Sequence, residues 1–229
     1  MNMILKTRPA PSIQSVGDPP DLHAERVVRD MLAWMHDAQK PLMDRAKDTL
    51  DVCNMGGPKA QMRCARALLN AVGGLGLDME VHTAKRGRYC IILTTWSTWD
   101  PYRNDLVAIN EPAPPLAWLC ALTTAFTGAN YRPDTKNWPF LIVSRHACVR
   151  LAQRAGVRTV SDMVIAMREL WIAVADLISK NPREAWLHPP EGAWRLRVFK
   201  NCHALLEPDR NGEGRLVVKT ILGPGMNDD

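Results

Sequence analysis

Apolar residues recur every three or four positions at Val27, Val28, Met31, Leu32 and Met35, and then at Leu42 and Met43. This spacing predicts a helix over 22–50, with Asp21 as N-cap and Pro41 as a break or kink. A second helix is predicted over 58–72, opened by Pro58 and ended by Gly73-Gly74. The period then changes. Residues 79–84 and 89–95 read as two strands joined by the turn Lys85-Arg86-Gly87-Arg88. Residues 96–111 read as irregular, 115–126 as a helix and 128–139 as a loop.

The last third has a sharper pattern. Phe140-Leu141-Ile142-Val143 predicts a short strand, and Ser144 caps a helix over 146–155 that stops at Gly156. Thr159 or Ser161 caps a further helix reaching Ser179, with Met163, Val164, Met167, Leu170, Trp171 and Val174 on its apolar stripe. Strands follow over 193–199, 202–207 and 215–222, the last two joined by a glycine-containing turn over 209–214. The reading is an α+β protein: N-terminal helices and a β-hairpin, then a C-terminal unit of two helices packed on a short antiparallel sheet. Four stretches follow: 1–21 loosely attached, 22–139 helical and hairpin, 140–222 a compact α+β unit, and 223–229 a tail.

Composition narrows the class. Of 229 residues 46% are hydrophobic and 23% charged, enough apolar side chain for a core. No apolar run reaches the roughly 18 residues of a membrane helix. The start Met1-Asn2-Met3-Ile4-Leu5-Lys6 lacks the apolar stretch of a secretory signal. Six cysteines, at 53, 64, 90, 120, 148 and 202, include no C-x-x-C pair, so reduced thiols in a soluble cytoplasmic protein are expected. No metal and no cofactor is expected, since no histidine or acidic spacing proposes a ligand set. P-loop, H-E-x-x-H and nucleophile-elbow motifs are absent.

A net charge of +5 fits an anionic partner, and its placement matters more than its sum. Arg145, Arg150, Arg154 and Arg158 crowd one segment; Lys85, Arg86 and Arg88 crowd another. In Ser144-Arg145-His146-Ala147-Cys148-Val149-Arg150-Leu151-Ala152-Gln153-Arg154, residues 146, 150 and 154 fall near one helix face. His146 lies in the first turn, where the helix dipole favours neutral imidazole. A neutral histidine accepts a proton and guanidiniums hold a phosphate, the parts needed to cleave RNA without a metal.

The pattern Ser-x-His-Ala-x-x-Arg-x-x-x-Arg, followed by a helix and strands ending in Leu216-Val217-Val218-Lys219-Thr220-Ile221-Leu222, resembles the small RelE-superfamily toxins of the BrnT type. The resemblance covers residues 143–222. It implies a short antiparallel sheet against two helices, metal-independent RNA cleavage and inhibition by an antitoxin protein. Roughly 140 residues precede the histidine helix here, whereas in those small proteins it lies near the N-terminus.

Three functions follow as expectations. The first is a toxin-like ribonuclease with His146 as acid/base, Arg150 and Arg154 on the phosphate, and Lys219 facing them from the last strand. Arg145, Lys85, Arg86 and Arg88 would then touch nucleic acid. The second is a non-catalytic nucleic-acid-binding protein using the same arginines. The third is a phage or mobile-element interaction protein whose tryptophans bury against a partner. A structural alternative stands beside each feature. For His146 it is a residue that serves only its capping turn, and for Arg150 and Arg154 it is ion pairing, for example with Glu169 or Asp162. For Lys85 to Arg88 it is a solvated hairpin tip, and for the Trp96, Trp99 and Tyr102 cluster it is core or interface rather than stacking surface for bases.

Overall fold

The computed structural model describes residues 22–54, 76–83, 89–108, 116–129, 132–181, 192–209 and 214–226, with isolated positions between them. The turn Lys85-Arg86-Gly87-Arg88, residues 210–213, and all but two positions of the helix predicted over 58–72 lie outside the described residues.

Helix α1 (Leu22–Asn54) extends the predicted helix and contains Pro41 within a single span. Its buried stripe is Ala24, Val27, Val28, Met31, Leu32 and Met35, the spacing of one helical face. Strands β1 (Gly76–Thr83) and β2 (Tyr89–Asp100) form the expected antiparallel hairpin, with Val81 opposite Ile91. Strand β2 runs on through Trp96 to Asp100, a stretch read as irregular, and the two-residue β3 (Asp105–Leu106) pairs with its end. Strand β4 (Trp118–Ala129) occupies the segment predicted as a helix, and β5 (Arg132–Val143) the segment predicted as a loop. Helices α2 (Arg145–Arg154) and α3 (Val160–Lys180) follow, then β6 (Trp194–Arg197), β7 (His203–Pro208) and β8 (Leu216–Leu222).

These strands make one mixed sheet in the order β1-β2-β4-β5-β8-β7-β6, with β3 beside β2. Every pairing is antiparallel except β5 with β8, where Leu141, Ile142 and Val143 lie parallel to Leu216, Val217 and Val218. This overturns the expected fold class of a separate C-terminal unit with two helices on its own short antiparallel sheet. Strand β8 continues the N-terminal sheet, and α1 shares the helical layer with α2 and α3. The error has a physical source. Leu119, Cys120 and Ala121 are buried on both faces, so β4 lacks the polar-apolar alternation that marks a strand.

One face of the sheet carries the main core. Trp96, Leu119, Ala121, Leu141, Val143, Ala204, Leu206, Leu216, Val218 and Ile221 pack there under the three helices. A smaller cluster of Trp99, Cys120, Ile142 and Val217, with Leu106 and Trp118, occupies the opposite face. Helix α1 is also fixed by His36. Its Nε2–H donates to the Glu111 carbonyl at 2.6 Å, and its Nδ1 lies 3.1 Å from the Thr98 hydroxyl. Among the described residues no helix is long and apolar enough to cross a membrane.

Candidate functional site

Helix α2 is built from both ends. Ser144 is its N-cap: the side-chain oxygen accepts from the Ala147 N–H at 3.1 Å, and its hydroxyl reaches the Lys219 carbonyl at 3.4 Å. Such a cap is worth about 1 kcal/mol. At the other end Gly156 takes φ +60, while its N–H bonds Gln153 and that of Val157 bonds Ala152. That is a Schellman closure, and the positive φ explains the glycine. The Lys200 ammonium donates to the Ala155 carbonyl at 2.8 Å, placing a cation at the negative end of the helix.

Between these ends, Ala147, Cys148, Val149, Leu151 and Ala152 point into the core. His146 is exposed, and Arg150 and Arg154 are half-buried on the polar side. The imidazole pKa is held below its ordinary value, first by partial burial and then by the charges of Arg150 and Arg154, with Glu25 opposing them. Desolvation and two guanidiniums, rather than the helix dipole named from the sequence, are the causes of this shift.

The other proposed residues have definite places. Arg145 donates to Glu25 Oε2 at 2.7 Å, tying α2 to the first turn of α1. Arg150 donates to the Gln153 amide oxygen at 3.1 Å. The Arg154 guanidinium bonds the Ile221 carbonyl on β8, anchoring the helix to the strand beneath. Lys219 does not face the helix as expected. Its ammonium lies 3.8 Å from Glu207, which stands opposite Val217 of the far-side cluster. Lys85, Arg86 and Arg88 lie outside the described residues.

Trp96 and Trp99 are buried at 0% and 2% exposure, so neither offers a face to a base; Tyr102 is exposed at 78%. Asp100 and Glu111 both engage Arg103, at 3.4 and 2.6 Å. Cys120, Cys148 and Cys202 are free and buried. Burial pushes the Cys148 thiol up to about 12 and raises the other two, so none is a thiolate nucleophile at neutral pH. Among the described residues no three of His, Cys, Asp and Glu gather as metal ligands. The sequence reading missed Glu25, which meets Arg145 from 120 residues away and also acts on His146. No spacing rule reaches that far.

No family model, no curated protein and no solved structure matches this chain.

Proposed function

We propose that the polar side of α2 binds a phosphodiester and that the protein is a toxin-like, metal-independent ribonuclease with His146 as its proton-transfer group. The observation that carries this reading is an exposed imidazole with a lowered pKa, influenced by two arginines of its own helix. At neutral pH such a histidine is mostly unprotonated, ready to accept the 2′-hydroxyl proton. Arg150 supplies positive charge for the developing phosphorane, with Arg154 behind it. Arg145, held by Glu25, and Lys219, on the far side of the sheet, have positioning and surface roles in this scheme. An antitoxin protein is the partner that this activity calls for.

The same residues support a second reading as a non-catalytic nucleic-acid-binding protein. Its favouring observation is that Arg154 is bonded to the Ile221 carbonyl and Lys219 lies beside Glu207, so both proposed partners of His146 are engaged elsewhere.

The two readings separate in one experiment. Wild type, His146→Ala and Arg150→Ala are compared for growth inhibition, cleavage of purified RNA and melting temperature. The ribonuclease reading expects folded variants and a loss of roughly 100-fold to 10,000-fold for His146→Ala. Binding alone expects His146→Ala to act as wild type and Arg150→Ala to weaken a salt-dependent affinity. A harmless wild type with no RNA cleavage overturns the ribonuclease reading.

A further inference from the structure

Among the described residues strand β6 ends the sheet and pairs with β7 alone, and an open groove of about 740 Å³ lies between it and α3. The floor and walls include Leu196, Val198, Ile172 and Ala173, with Glu169 and Asp176 along the α3 rim. Ile172 is 57% exposed and lines this groove; Ile165 of the same helix, 51% exposed, does not.

The edge can accept a strand. The Val198 N–H bonds the Cys202 carbonyl at 2.8 Å, which makes that pair a hydrogen-bonded one. Antiparallel pairs alternate, so Leu196 and Trp194 turn their backbone groups towards β7, while Arg195 and Arg197 turn theirs to the open side. Side chains alternate as well. Leu196 and Trp194 are half-buried against the core, and Arg195 and Arg197 are exposed on the other face.

Charge selects the occupant. Arg195 donates to the Met226 carbonyl and Arg197 to the Asn201 amide oxygen, so neither meets a carboxylate among the described residues. Two copies paired along this edge would set these arginines close to one another, which opposes self-association. A strand with acidic residues opposite Arg195 and Arg197 fits instead, its intervening side chain entering the groove against Leu196 and Ile172.

We propose that β6 and the α3 groove dock an extended peptide of a partner protein by strand addition, the peptide alternating acidic and apolar residues. This docking is independent of the chemistry on α2.

The test uses the full chain and two fluorescein-labelled octapeptides, one alternating glutamate with valine and one alternating lysine with valine. Anisotropy should report binding of the glutamate peptide and not of the lysine peptide. The double variant Arg195→Glu, Arg197→Glu should weaken the first by roughly tenfold, as two exposed ion pairs are lost, and should favour the second. Ile172→Asp should abolish binding, with an unchanged melting temperature showing that the fold persists. Hydrogen exchange should slow at Arg195 and Arg197 when the peptide is added. Binding indifferent to peptide charge overturns the proposal. So does an edge already protected in the free protein, whether by a second copy, seen as a dimer in sedimentation, or by another segment of the same chain.

Discussion

The two faces of the sheet reach burial by different means. Beneath the helices, Trp96, Leu119, Leu141 and Val218 are sealed by apolar side chains from α1, α2 and α3. On the opposite face, Trp99 of the cluster with Cys120, Ile142 and Val217 lies under a charged residue. The Arg215 guanidinium sits 5.0 Å from the Trp99 ring centroid, pairs with Asp209 at 2.9 Å and donates to Asn104 at 3.3 Å. Arg215 and Asp209 are only 11% and 14% exposed. The first face depends on volume and tolerates apolar exchange; the second depends on a directional charge network that fails when one member is lost.

Trp96 and Trp99 test this contrast most strongly, since both are buried on one strand and point to opposite faces. Each alanine substitution should cost about 3–5 kcal/mol in chemical denaturation. Replacement by Phe should separate them: mild at Trp96, larger at Trp99, where the ring also carries the cation. Equal losses from both Phe variants would erase the distinction between the faces.

Asp209→Asn comes next. It leaves the Arg215 charge nearly buried without its carboxylate, and about 3 kcal/mol should be lost. Glu25→Gln removes a slightly shorter contact to Arg145, but Glu25 is 41% exposed, so the change should cost at most about 1 kcal/mol. If the two substitutions prove equal by urea titration, burial is not what distinguishes these pairs.

The smallest effect is the pH dependence contributed by His146. Its folded pKa lies below the ordinary value, so the unfolded chain takes up the proton first. The stability contribution is therefore complete above the unfolded pKa, about 6.5, and is lost as pH falls from there towards the folded pKa. His146→Gln should flatten the melting temperature across that window relative to wild type. Glu25→Gln should steepen the dependence, because the Glu25 charge is what holds the imidazole pKa up.

Where local rules govern, the sequence was legible. Ser144 and Gly156 bound α2, Thr159 caps α3 with its hydroxyl accepting from Asp162, and Val81 and Ile91 belong to a hairpin. The central strands were not, because threonines and small residues with no alternation leave helix, strand and loop close in propensity. At the candidate site, the alignment of His146 with Arg150 followed from helical spacing. The anchoring of Arg154 on Ile221 and the side taken by Lys219 depended on how β8 joins β5, a pairing no local pattern encodes.

That parallel pairing sets an order of assembly. Strands β1, β2, β4 and β5 are joined antiparallel in sequence and can pair as they leave the ribosome, while β8 is the last strand of the sheet to be made. Until Leu216–Leu222 emerges, β5 presents a free edge and α2 lacks the strand to which Ser144 and Arg154 attach. Closing so distant a contact is slow, and an unpaired β5 is the point where a nascent chain is most open to aggregation or capture by a chaperone. The polar side of α2 is therefore assembled only after β8 has joined β5.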